Sequence, residues 1–309
     1  MKLESYSPTT GSRIASYDAH TQSDIHSIIA RSTAAFEMHR TTSFAYRSER
    51  MIRVANLLES GAAEFGRLMT LEMGKPISQA IAEARKCAWV CRYYAEHAEK
   101  MLADEIVETD ADFSYIAFQP LGPILAVMPW NFPFWQVLRF AAPALMAGNV
   151  ALLKHASNVS GCALAIEALF KEAGFDEHVF QTLLISHDHI DAILADDRIR
   201  AATLTGSEGA GRSVGLQAGR SLKPVVLELG GSDPFIILSD APLSLAVQTA
   251  VTARMQNNGQ SCIAAKRFIV EESIADTFIE QFVTAVQAIT VGDPMLPETG
   301  LGPLARAAQ

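Results

Sequence analysis

Ala201-Ala202-Thr203-Leu204-Thr205-Gly206-Ser207-Glu208-Gly209-Ala210-Gly211 sets a short apolar run directly against a glycine-rich turn that opens a helix. Such a run reads as a buried strand. The turn leaves free N–H groups and the positive end of the helix dipole facing a crevice where a phosphate can sit. The same rhythm extends in both directions. Upstream it reads Ile124 to Met128, a helix near 134–147, Val150 to Leu153, a helix near 159–173, a strand near 180–184 and a helix near 187–196. Downstream come a helix near 209–219 and the run Pro224 to Leu229. Strands and helices in this alternation predict an α/β fold with a parallel, doubly wound sheet. The turn is not the standard dinucleotide fingerprint, because Gly209-x-Gly211 is followed by Val214 at the third glycine position and Gly215 comes one place late. On this segment alone, nucleotide binding and an ordinary strand-to-helix turn both remain open.

Around that centre, residues 22–102 carry Ala, Glu, Arg and Leu at helical spacing. They predict helices over about 24–38 and 45–72, and a third after Gly74-Lys75-Pro76. Between about 106 and 124 the pattern turns β-favouring, with Phe113, Tyr115, Ala117 and Gln119 on alternate positions, which reads as an exposed strand or hairpin. A boundary falls at Gly230-Gly231-Ser232. A strand at Pro234 to Leu238 and helices near 243–258 and 273–288 then begin a second α/β unit.

Composition narrows the classes. A net charge of −9 without a basic stripe argues against a nucleic-acid partner. The four cysteines, Cys87, Cys91, Cys162 and Cys262, lie in a chain too long to need disulfide staples. Cys87 and Cys91 are four apart on a predicted helix. With no His or further Cys pair to complete a metal site, they read as packing residues, and no metal is expected. The N-terminus has no apolar run of signal length. The most apolar stretch, Ile124 to Leu153, is interrupted by Pro129, Pro133, Arg139 and Pro143, so no membrane span and a cytoplasmic location are expected.

Two residues suit carbonyl chemistry. Cys262 stands in Asn258-Gly259-Gln260-Ser261-Cys262, and Glu228 in Leu227-Glu228-Leu229-Gly230-Gly231. A thiol can attack a carbonyl and a carboxylate can then activate water, although a lone cysteine is also a common small core residue. In Met128-Pro129-Trp130-Asn131-Phe132-Pro133, two prolines fix the backbone where Asn131 can donate to a developing oxyanion; the plainer alternative is a turn asparagine bonding its own backbone. Lys154, closing a strand, can neutralise phosphate or simply be solvated, and His155 reads as a packing or surface histidine.

Taken in order, these segments resemble the aldehyde dehydrogenases, and most closely the NAD(P)-dependent succinate-semialdehyde dehydrogenases. The resemblance runs through Ser7-Pro8-Thr9-Thr10-Gly11, Glu72-Met73-Gly74-Lys75-Pro76, Pro129-Trp130-Asn131-Phe132-Pro133, Pro143-Ala144-Leu145-Met146-Ala147-Gly148-Asn149, Thr205-Gly206-Ser207, Glu228-Leu229-Gly230-Gly231 and Gly259-Gln260-Ser261-Cys262. It implies a dinucleotide-binding domain over 1–230 with a β oligomerisation insert at about 106–124, and a catalytic domain beginning at 231–309. By the same resemblance Cys262 is the nucleophile, Glu228 the base for hydrolysis and Asn131 an oxyanion donor. Trp130, Asn131, Lys154, His155, Ala156, Ser157, Gly206, Ser207, Gly211 and Leu229 hold the cofactor. Ser157 replaces a glutamate found in many NAD-preferring members, so NADP is expected to be accepted at least as well as NAD. Arg139 resembles an arginine that pairs with a substrate's distal carboxylate, whereas Gln256 stands where some members carry a second.

The resemblance also implies sequence beyond Gly302-Pro303-Leu304, including a later glutamate motif for the nicotinamide ribose and the strand completing an oligomerisation sheet. The expectation is therefore a homo-oligomeric enzyme, dimer or tetramer, acting on a small aldehyde, with only the N-terminal portion of its catalytic domain in these residues. Another small aliphatic aldehyde as substrate, an inactive truncated paralogue or interaction module, and a thiol hydrolase without a dinucleotide site are the alternatives.

Overall fold

The computed structural model describes residues 1–306. The chain opens with an antiparallel pair, β1 (Lys2–Tyr6) and β2 (Arg13–Asp18), which periodicity did not reveal. Four helices follow: α1 (Gln22–His39), α2 (Phe44–Ser60), α3 (Ala62–Met73) and α4 (Ile77–Met101). The single helix expected over 45–72 is in fact two, because Gly61 ends α2 and starts α3. A thin hairpin, β3 (Glu105–Ile106) with β4 (Tyr115–Ile116), forms the expected insert, shorter than the span read from sequence.

The parallel sheet follows as β5 (Pro123–Met128), α5 (Trp135–Met146), β6 (Val150–His155), α6 (Ser160–Glu172), β7 (Phe180–Thr182), α7 (Ile190–Ala195), β8 (Ala201–Thr205), α8 (Glu208–Arg220) and β9 (Val225–Glu228). Its order is β7-β6-β5-β8-β9, with every neighbouring pair parallel. Winding therefore reverses between β5 and β8, and the carboxyl ends of these two strands open a crevice at a topological switch point. The apolar stretch 124–153 is divided among β5, α5 and β6. No described helix is long and apolar enough to cross a membrane.

The central strands are apolar on successive positions because both faces are covered. Leu125, Leu152 and Leu204 face a core with Ile25, Ile29, Ile193 and Val214 from α1, α7 and α8. Ala126, Met128, Ala151 and Leu153 face the opposite core with α2 to α6. Cys87, Cys91 and Cys162 are buried there, where burial pushes each thiol up. Beyond the sheet, β10 (Pro234–Ile237), α9 (Leu243–Met255), β11 (Arg267–Val270) and α10 (Glu272–Gln287) form a small second unit around Ile237, Val247 and Phe278. The strand β11 had no period-2 signal. The helix expected to reach 258 stops at Met255, and that difference shapes the site.

Two buried histidines brace the sheet-to-helix joints. His155 lies beneath β5: its Nε2 is 2.9 Å from the Pro133 carbonyl and its Nδ1 is 3.0 Å from the Ala156 N–H. These contacts fit a neutral ring protonated on Nε2. His39 meets the Leu145 carbonyl through Nε2 at 3.0 Å, while its Nδ1 is buried without a partner. An imidazolium there would strand an N–H. Desolvation by burial holds both rings down, from an ordinary 6.5 to about 4. As pH falls below 6.5 the unfolded chain binds protons first, so stability is lost across the window from 6.5 to 4. The loss is roughly 2 kcal/mol per histidine at pH 5. Glu72, whose carboxyl burial raises, works in the opposite sense, but alone against two. Urea unfolding at pH 7.5 and pH 5 is expected to show the lower stability at pH 5, and equal midpoints would contradict neutral buried rings.

Candidate active site

Three glycine- or proline-punctuated turns meet at the switch point. The first, Pro129 to Phe134, leaves β5 and enters α5. Glu83 of α4 caps that helix from outside, its Oε1 accepting the N–H groups of Phe134 and Trp135 at 2.9 Å each. Its other oxygen pairs with Lys75, also buried, and Lys75 lies 4.3 Å from the Phe132 ring centroid. A buried ion pair with every oxygen engaged holds its surroundings in one geometry. The Asn131 turn is therefore fixed from α4 and the turn before it, through a carboxylate, Glu83, that the sequence did not single out.

The second turn joins β8 to α8. Ser207 caps α8 through its Oγ to the Ala210 N–H at 3.3 Å, and the Gly206 N–H donates to the Glu228 carbonyl at 3.0 Å. The N–H groups of Glu208 and Gly209 meet no acceptor among the described residues. A Cβ on Gly209 would meet nothing within 4 Å, so this helix end is open as an anion cradle. A Cβ on Gly211 would come within 2.6 Å of Leu229, so this glycine lets α8 pack against the strand end.

The third turn carries the thiol. After α9 the backbone passes through three successive left-handed residues, Asn257 and Asn258 at φ 57° and Gly259 at φ 72°. For the asparagines this conformation costs about 1 kcal/mol each. Hydrogen bonds offset it. Asn257 Nδ2 donates to the Asn131 carbonyl at 2.7 Å, and its N–H donates to Gln79 Oε1 at 2.6 Å. Asn258 Nδ2 donates to the Gly74 and Pro303 carbonyls at 2.9 and 3.0 Å. The pair Asn257-Asn258 before Gly259 was a legible signal of left-handed backbone that the helical reading of 243–258 overrode.

These turns bring Trp130, Asn131, Gly206, Ser207, Glu228, Leu229 and Cys262 to one cleft of about 540 Å³, within the usual range for a small-molecule site. Asn131 Nδ2 gives one hydrogen to the Gln260 carbonyl at 2.9 Å, leaving its second without an acceptor among the described residues. The Cys262 N–H is likewise uncommitted. Glu228, at the end of β9, is half exposed, with Arg139 Nη1 3.9 Å from its Oε2. Arg139 also donates to Thr205 Oγ1 at 3.3 Å. A second cleft of about 550 Å³ lies between α4 and α5 and is lined by Lys75, Glu83, Lys86, Trp135, Arg139 and Cys262, among others. The half-buried Cys262 thus stands where the two clefts meet.

Lys154, Ala156 and Ser157 lie along the end of β6, outside both clefts. Lys154 has no carboxylate within 4.0 Å among the described residues, and burial first, then the Arg306 cation, holds its pKa down. Arg306, which the sequence did not flag, donates to Asn158 Oδ1 at 2.6 Å. The His155 side chain does not face the cofactor cleft. Both of its ring nitrogens are committed to backbone groups inside the fold, so the ring braces the turn.

The aldehyde dehydrogenase family model matches residues 1–309. The chain belongs to this family. Among curated relatives of this aldehyde dehydrogenase, a probable succinate-semialdehyde dehydrogenase [NADP(+)] of Synechocystis is 57% identical over 305 residues, covering 99% of this chain and 67% of the relative. Succinate-semialdehyde dehydrogenase [NADP(+)] 1 of Mycobacterium tuberculosis is 54% identical over 308 residues, covering 99% and 67%. Among solved structures, the succinic semialdehyde dehydrogenase of Streptococcus pyogenes in complex with NADP+ is 36% identical with a TM-score of 0.96, covering 99% of this chain and 68% of that one. The chain spans about two thirds of the length of these relatives.

Proposed function

We propose that this aldehyde dehydrogenase oxidises succinate semialdehyde to succinate with NADP, through an acyl-thioester on Cys262. The observation that carries the reading is the position of Cys262 where a cleft walled by the open end of α8 meets a cleft that holds Lys86 and Arg139. The Cys262 thiolate attacks the aldehyde carbon, and the carbonyl oxygen becomes an oxyanion facing the free hydrogens of Asn131 Nδ2 and the Cys262 N–H. When bound, the nicotinamide supplies the two-electron acceptor that turns a Cys262 thiohemiacetal into a thioester. Glu228, on the wall of the same cleft, takes a proton from the water that hydrolyses the thioester, and the thiolate is released with the acid. The cofactor's phosphates suit the open Glu208 and Gly209 N–H groups. The Lys154 and Arg306 cations beside Ser157 suit a 2′-phosphate, which a glutamate at 157 would repel. In this reading the substrate is the succinate semialdehyde of two relatives' names, and Arg139 faces its distal carboxylate. The exposed Ile106, Phe113, Tyr115 and Ile116 of the β3–β4 insert suit self-association.

A thiol hydrolase would need no open helix end and no cation pair beside Ser157. Initial rates with succinate semialdehyde and each cofactor test the reading. The expected wild-type kcat/KM is higher with NADP. In Ser157→Glu it falls roughly 100-fold for NADP, about 2 to 3 kcal/mol of lost and reversed charge interaction, with NAD affected far less. No growth of reduced-nicotinamide absorbance with either cofactor would refute the dehydrogenase reading, and a wild-type preference for NAD would refute the phosphate site.

A further inference from the structure

The cleft between α4 and α5 is more cationic than a neutral aldehyde requires. Gln79, Ala82, Glu83 and Lys86 recur at three- and four-residue steps on α4, which places them on one face, opposite Trp135, Gln136 and Arg139 of α5. Lys75 is compensated by Glu83, whose second oxygen is committed to the N–H groups opening α5. Arg139 is compensated in part, at 3.9 Å from Glu228. Lys86 has no carboxylate within 4.0 Å among the described residues. Lys86 is exposed, but its Nζ lies 3.9 Å from the Trp135 ring centroid, a cation–π contact that draws the ammonium toward the cleft wall. Trp135 and Arg139 are one turn apart on the same face of α5, roughly 6 Å between Cβ atoms, so the two cations flank one end of the cleft. On the side of α9 and the thiol loop the lining adds no charged side chain, only neutral ones such as Thr252, Gln256, Asn257 and Ser261 beside Cys262.

We propose that Lys86 is a specificity-determining residue that, with Arg139, holds the distal carboxylate of the substrate while Trp135 keeps its ammonium in place. This deepens the semialdehyde reading above and rests on it. A carboxylate bridging an anchored ammonium and a guanidinium gains two charge-assisted contacts in a cleft partly shielded from water, whereas an aldehyde with no distal charge gains neither.

The experiment compares KM and kcat for succinate semialdehyde and butanal in the purified enzyme, as wild type, Lys86→Met and Lys86→Arg. Methionine keeps the apolar stem against Trp135 and removes the charge. The expected result is a KM for succinate semialdehyde raised about tenfold more than that for butanal in Lys86→Met, with kcat moved less than KM, and recovery in Lys86→Arg. Equal effects on both aldehydes, or no effect on succinate semialdehyde, would overturn the role of Lys86 alone. A wild-type enzyme that fails to prefer succinate semialdehyde over butanal would overturn the substrate reading itself, and the Lys86 proposal with it.

Discussion

Cys262→Ser is expected to lower kcat/KM for aldehyde oxidation by about 10³-fold or more while leaving the fold intact. The substitution nearly preserves volume at a half-buried position, so packing against Ser261 and the left-handed turn has little reason to change. What changes is the chemistry. A thiol yields an appreciable thiolate fraction near neutral pH and its sulfur is soft. A serine hydroxyl becomes nucleophilic only with an adjacent general base, and Glu228 makes no hydrogen bond to residue 262. Initial-rate assays with matched unfolding curves check this. Activity within tenfold of wild type would mean that the thiol is not the attacking group.

Glu228→Gln divides the two halves of the reaction. Thioester formation needs Cys262, the free Asn131 hydrogen and a hydride acceptor, none of which requires the Glu228 carboxylate. Hydrolysis needs a base to take a proton from water, a role worth about 10² to 10⁴ in rate. Rapid mixing is therefore expected to show a burst of reduced cofactor close to one per site, followed by a steady rate lowered by about that factor. The backbone role of residue 228 is unaffected by the change, since the Gly206 N–H bonds to its carbonyl and Thr205 pairs with it in the sheet. A loss of burst and steady rate together would place Glu228 in the first half of the reaction instead.

Much of this site was legible before any coordinates, for physical reasons that differ along the chain. The central strands are buried on both faces, so their apolar runs and the helices between them stand out, and parallel winding then dictates a crevice at the ends of β5 and β8. Cys262 and Asn131 sit on turns at that crevice and Glu228 at the end of β9, where glycine and proline mark them. The hairpin β1–β2 was hidden because polarity does not follow the alternating burial, Ser5 being buried and Ile14 exposed, and Gly61 was lost inside a long helical pattern that it interrupts. The supports of the site were least legible. Glu83 carried no signal on its predicted helix, and Lys75 stood out only as part of a break and a motif, with nothing to pair the two. Their burial depends on α5 arriving over them, a contact spanning some fifty residues of sequence. His155 read from its own residues as a packing or surface histidine, and its ring does turn inward to the Pro133 carbonyl.

The acyl-enzyme itself is the most direct test. Glu228→Gln enzyme mixed with succinate semialdehyde and NADP, quenched in acid within the burst and digested, is expected to carry the mass of a succinyl group on the peptide containing Cys262, with Cys87, Cys91 and Cys162 unmodified. A full burst with no acyl group on Cys262, or with the adduct on another cysteine, would contradict the account.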